Sequence, residues 1–243
     1  MTVAGAIVLW ACWLVPVLFI ALALRVTRQT ELHWQWFAAA AIAYGLYMLA
    51  GYATLPANVA ALPAEARWYS RLAQLATTAA MMALAWNRHP LLTAEGMGLT
   101  LRQNRGSLAW SLLGLAALVV VGLVRNGVHA VPLFAMSPAG WLFNLSLRGF
   151  EPEMFYRALE LSLFAVALGG TRKAMGWAAV MCTIVFSLGH GIVPDRGHIG
   201  YSVPMLVYAA AAGAILVAIR LTSGSQLFGV LGHNLIGLTE RLA

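Results

Sequence analysis

Residues 149–160 read GFEPEMFYRALE, and they place Glu151, Glu153, Arg157 and Glu160 together in a chain of 243 residues of which only 9% are charged. The stretch runs directly into LSLFAVALGG at 161–170, an apolar run that belongs in lipid or in a helix bundle. On a helix Glu153 and Arg157 stand one turn apart on one face, and Glu160 lies a turn beyond Arg157. An ionisable group at membrane depth costs about 2.5–3.5 kcal/mol on insertion scales, so it is expected to be paired and to serve a function. A lone Glu–Arg pair fits an interfacial anchor or an interhelical lock as well as it fits chemistry. Two further polar insertions in apolar surroundings favour chemistry: His190 in IVFSLGHGI (184–192) and His233 in FGVLGHNLIGL (228–238).

Working outward, 61% of the residues are hydrophobic and the mean hydropathy is +0.80. A soluble domain of this length has no use for so much apolar surface, which implies an all-α, polytopic membrane bundle. Apolar segments at about 3–24, 37–54, 72–86, 108–124, 153–168, 174–192, 203–221 and 227–242 predict about eight transmembrane helices. The first lacks a basic leader and an AxA-like cleavage site, so it is expected to be a retained helix. Residues 1–130 are expected to supply N-terminal transmembrane helices and 131–243 the core that carries the chemistry, within one integral bundle. The formal charge of +7 sits in short loops between apolar spans. That pattern reflects insertion and anionic headgroups and gives no reason to expect nucleic acid.

The connections carry their own signals. Residues 55–72, with Pro56 and Pro63, read as a loop. The charged connection after the third span contains GLTLRQ (98–103), which looks amphipathic and is expected on the membrane surface. Ser137 before Pro138 predicts a helix start, with serine as N-cap and proline in the first turn. Loops after odd spans hold Arg25, Arg28, Arg88, Arg102, Arg105, Arg172, Lys173 and Arg220, which outweigh the basic residues on the other side. This excess predicts odd loops in the cytoplasm and both termini outside. Cys12 and Cys182 lie within spans and show no CxxC or metal spacing. His33, His89, His129 and His198 fall in loops or at span edges, where interfacial polar groups are the expectation.

Glu153 opens the fifth span and His190 closes the sixth, and because consecutive spans run in opposite directions the two fall at one level. His233, about seven residues into the eighth span, is expected somewhat deeper. A carboxylate with two imidazoles suits hydrolysis of an amide. Desolvation makes a carboxylate a stronger base, a histidine orients the water, and a second donor faces the developing oxyanion, worth about 3 kcal/mol in well-studied enzymes. Arg157 would hold the glutamate segment. The same ligand types suit zinc, but there is no HExxH and nothing fixes the ligand spacing, so no cofactor is expected to be required.

EPEMFYRA (151–158), FSLGH (186–190) and GHNLIG (232–237) resemble, in order and spacing, the motifs EExxxR, FxxxH and HxxxN of the CPBP intramembrane proteases. That family includes the Ras-converting CAAX endopeptidase and the bacteriocin self-immunity proteins. The resemblance covers residues 138–243. It implies a glutamic-type endopeptidase in the bacterial inner membrane that cleaves near the C-terminus of a membrane-associated or lipid-modified protein, with that tail and the bilayer as partners. It implies that His190 orients the water and that His233 stabilises the oxyanion, while Glu153 and Arg157 match the second glutamate and the arginine of the first motif. Pro152 stands where the family has its first glutamate. Glu151 and Glu153 flank it, both are candidate bases, and Glu153 is preferred because it keeps its spacing to Arg157. Gly237 stands where the family has asparagine. Asn234 is the nearby candidate amide, about 100° round the helix from His233. These two departures keep open a second expectation, a catalytically weak or inactive relative that acts as an immunity or binding protein. A bis-histidine haem site at His190 and His233 is a third, but it would leave the carboxylates without a purpose.

Overall fold

A computed structural model describes residues 3–53, 68–126, 137–195 and 198–242. Their elements are α1 (Val3–Val26), α2 (Trp34–Ala53), α3 (Trp68–Ala85), α4 (Ser107–Asn126), α5 (Pro138–Leu145), α6 (Leu147–Glu153), a π-helical segment (Met154–Glu160), α7 (Leu161–Ala167), α8 (Arg172–Gly191), β1 (Ile192–Asp195), β2 (His198–Tyr201), α9 (Val203–Ser223) and α10 (Leu227–Leu242). The all-α class holds. Helix covers every segment in which a span is expected. Among the described residues, four helices are long and apolar enough to cross a membrane: Ile7–Val26, Ser107–Arg125, Arg172–Gly191 and Val203–Ser223. The apolar part of α10, Leu227–Thr239, is shorter. Large apolar side chains such as Phe19, Trp110, Val124 and Val207 are exposed on these helices, as they would be toward lipid.

Two expectations change in detail. The third helix starts at Trp68, so Arg71 is helical and does not belong to the preceding loop. The short turn after α8 contains a two-stranded antiparallel ladder in which Ile192 pairs with Tyr201 and Asp195 with His198. GLTLRQ is not helical. Residues 54–67 and 127–136, which include Pro56, Pro63, Arg67, His129, Pro132 and the expected division at 130/131, lie outside the described residues, as does Arg196.

The chain divides into two compact units. The first comprises Met1–Ile42 and Glu160–Ala214. In it α8 packs against α7 and α1. Trp13 Nε1 donates to Ile192 O at 3.0 Å, which ties α1 to β1, and His33 N donates to Ala167 O at 2.8 Å. Phe37 and Phe164 pack with ring centroids 6.2 Å apart. Thr171 caps α8, its hydroxyl accepting from Ala174 N at 3.1 Å.

The second unit comprises Ala43–Leu159 and Ile215–Ala243. Here α10 packs on α4, α5 and α6, and α3 packs on α6. An aromatic group lies beneath the 149–160 stretch: Tyr47 stacks on Phe155 at 3.9 Å, and Tyr44 meets Tyr156 edge-on at 6.3 Å. The segment around residues 96–104 forms an irregular strap. Its Met97 and Gly98 carbonyls accept from Gln226 Nε2 and Gln226 N, both at 3.0 Å. Its Gly96 carbonyl accepts from Arg220 Nη2 at 2.8 Å, and Thr100 O accepts from the Ser225 hydroxyl. A segment whose backbone acceptors are committed to the turn between α9 and α10 gains little by turning helical.

Candidate functional site

The site grows from the way the chain enters α6. Ser137 accepts from Gly140 N at 3.0 Å and Pro138 occupies the first turn, so α5 starts where the cap signal places it. The helix breaks at Ser146 (φ −129°, ψ −86°) and resumes as α6. Pro152, inside α6, has no N–H to donate, and the residues just beyond it form the π-helical segment. Single π-turns within helices recur at functional sites. This one carries Arg157.

Glu151, Glu153 and Arg157 are fully buried, each at 0% exposure. One oxygen of Glu153, Oε1, lies 2.8 Å from His233 Nδ1 and 3.2 Å from Arg157 Nη1. Its other oxygen, Oε2, is buried and accepts no hydrogen bond from the described residues. It faces Gly229, where a Cβ would come within 3.0 Å of it. Glu151 makes a separate pair, with Arg71 Nη1 of α3 at 2.7 Å from its Oε2. Two carboxylates and two guanidinium groups therefore balance in charge, which is the condition for holding ions away from water. Arg157 also lies 5.6 Å from the centre of the Tyr156 ring.

Gly229, His233 and Gly237 recur at i, i+4 and form one face of α10. His233 is 14% exposed and meets Glu153. A Cβ on Gly237 would lie 2.6 Å from Arg148 Nε, so the Arg148 side chain takes the place that a larger residue there would need. Arg148 Nη1 donates to Asn144 Oδ1 at 2.8 Å.

Asn234 faces the helix break. Its Oδ1 accepts from Gly149 N at 2.7 Å and its Nδ2 donates to Leu145 O at 2.9 Å. The amide thereby satisfies one carbonyl left over at the end of α5 and one N–H left over at the start of α6. Gly149 has no side chain because a Cβ would lie 2.6 Å from Asn234 Oδ1 and 2.8 Å from Val230 O. With both ends of its amide on backbone, Asn234 clamps the break.

His190 belongs to the first unit. Its Nδ1 lies 2.8 Å from Phe186 O, and because a carbonyl only accepts, Nδ1 carries a proton and donates it there. Phe186 packs on the ring with centroids 4.2 Å apart. The FxxxH spacing thus has a physical content: phenylalanine and histidine one turn apart stack, and the phenylalanine carbonyl fixes the tautomer. Glu160 is also in the first unit, is fully buried, and neither of its oxygens accepts a hydrogen bond from the described residues.

The structure brings together Glu153, Arg157 and His233, and it sends Glu151 to Arg71 and Asn234 to backbone. Sequence reasoning missed Arg71, Gly229 and Gln226. A search for a cation to neutralise Glu151 would have reached Arg71, whereas no local pattern marks Gly229 or Gln226. Among the described residues no group of three or more His, Cys, Asp or Glu side chains is placed to hold a metal ion. No family model, curated protein or solved structure matches the chain.

Proposed function

We propose that the chain is an intramembrane endopeptidase of the glutamic type, a multi-pass protein of the bacterial inner membrane with about eight spans. Its proposed substrate is a peptide bond near the C-terminus of a membrane-associated or lipid-modified protein. The observation that carries the proposal is the Glu153–His233 contact, a buried carboxylate held through one oxygen by an imidazole and a guanidinium while its second oxygen stays without a donor. Glu151 Oε1 is likewise buried without a donor among the described residues, so what singles out Glu153 is the imidazole and the guanidinium that share its other oxygen.

In the proposed reaction Glu153 accepts a proton from water as the water oxygen bonds to the scissile carbonyl carbon. The C–N bond then breaks, and the proton held on Glu153 passes to the leaving nitrogen, giving a carboxylic acid and an amine. His233 and Arg157 keep the carboxylate oriented through its Oε1. The resemblance implies a water-orienting role for His190. Glu153 is preferred to Glu151 as the base, because the strong pair with Arg71 commits Glu151 to another partner. Cleavage by wild-type membranes that is lost in Glu153→Gln, with the variant protein still folded, tests the assignment. Undiminished cleavage by that variant would sink it.

A second reading, an inactive relative that binds a peptide or partner, is favoured by one observation. The Arg148 side chain lies against Gly237, where the family motif has asparagine. Co-purification of a partner together with an absence of turnover against any tailed substrate would support it.

A further inference from the structure

Gln226 stands immediately before α10 and is buried at 4% exposure. Its backbone N–H goes to Gly98 O and its Nε2 to Met97 O, both at 3.0 Å. Turning the amide over would set Oε1 against the Met97 carbonyl, so the network fixes which end points where. The Oε1 so fixed is buried and accepts no hydrogen bond from the described residues. A Cβ on Gly229 would lie 3.7 Å from this oxygen and 3.0 Å from Glu153 Oε2. Two buried acceptors, both without a donor among the described residues, thus border Gly229, where α10 has only a hydrogen to offer. Acceptors do not satisfy each other, and a shared donor satisfies both.

We infer that Gln226 is a positioning residue that, with Glu153, holds the attacking water over Gly229. Water is the donor that fits, because it has two hydrogens for two acceptors. One O–H points to Glu153 Oε2, which takes that proton during attack, and the other points to Gln226 Oε1. With both hydrogens directed inward, a lone pair on the oxygen is left facing the carbonyl carbon. A methyl at Gly229 would crowd the carboxylate.

The identification of this water as the nucleophile rests on the proposed hydrolysis, but its position does not. The test is an experimental structure of the full chain in lipid nanodiscs, for wild type and Gly229→Ala, at a resolution that shows ordered water. Expected is density within about 3.2 Å of both Glu153 Oε2 and Gln226 Oε1 in wild type, displaced in Gly229→Ala. A direct Glu153–Gln226 hydrogen bond in wild type, no density, or density that persists in Gly229→Ala overturns the water site. For whichever tailed substrate wild type cleaves, Gln226→Met is expected to lower kcat about 10²-fold with KM little changed. Gln226→Glu, which restores an acceptor oxygen, is expected to recover part of that loss. Equal kcat in Gln226→Met and wild type, at matched thermal stability, overturns the positioning role. If wild type cleaves nothing, the hydrolysis fails while the density still decides the site.

Discussion

His233 Nδ1 lies 2.8 Å from Glu153 Oε1, and Arg157 reaches the same oxygen at 3.2 Å. The carboxylate is anchored at one end, which leaves Oε2 for the proposed proton transfer. Glu153→Gln keeps the shape but cannot take a proton, so cleavage is expected to fall by about 10²–10⁴-fold. His233→Ala is expected to fall comparably, and the double variant no further than the worse single, because the two act as a unit. Cleavage rates in reconstituted membranes check this. Multiplicative losses would show that the residues act separately.

The Arg71–Glu151 pair predicts a different outcome. Glu151 is fully buried, and Arg71→Ala leaves its charge without the partner at 2.7 Å. Removing one member of a buried pair costs about 3–5 kcal/mol, whereas replacing both by apolar residues is often nearly neutral. Thermal unfolding in detergent is expected to show a large loss for Arg71→Ala and recovery in Arg71→Met with Glu151→Met. If the double replacement stays folded but loses all cleavage, Glu151 is the base after all.

Asn234 and His233 are neighbours in sequence with separable roles. Asn234→Ala strands Gly149 N and Leu145 O at the helix break, at a cost of about 1–3 kcal/mol each where they stay buried. The loss is expected to appear in stability, with kcat per folded molecule little changed. Gly149→Ala is expected to behave alike, since its Cβ would press on the Val230 carbonyl. A large fall in kcat at unchanged stability for Asn234→Ala would instead mark it as an oxyanion donor.

Placing at 237 the asparagine of the HxxxN motif that this stretch resembles is expected to do harm. In Gly237→Asn the new Cβ meets Arg148 Nε, and the displaced guanidinium loses its bond to Asn144, a penalty of about 1 kcal/mol. Higher turnover in Gly237→Asn, in a side-by-side cleavage assay, would reverse this and show that the glycine weakens the proposed activity.

What the sequence made legible was local or periodic. The span expected at 227–242 coincides with α10, and the Ser137–Pro138 start is where the cap signal places it, because such signals are set by adjacent residues. The meeting of Glu153 with His233 could be anticipated because both are polar groups that need partners within apolar helices. The rest depended on tertiary partners that periodicity does not encode. GLTLRQ looked amphipathic, yet carbonyls in and beside it serve Gln226, Arg220 and Ser225. Asn234 looked like a spare amide until the break at Ser146 supplied two orphaned backbone groups. The π-turn at Met154–Glu160 follows a proline visible in the sequence, but its width is not.

The central claim is that Glu153 activates water to cut a membrane-associated tail. The most direct measurement is mass spectrometry of protein C-termini in membranes that express wild type or Glu153→Gln at equal, folded levels. The account predicts new C-termini on tailed membrane proteins in the wild-type sample that vanish in the variant. Identical C-termini in both samples would contradict it.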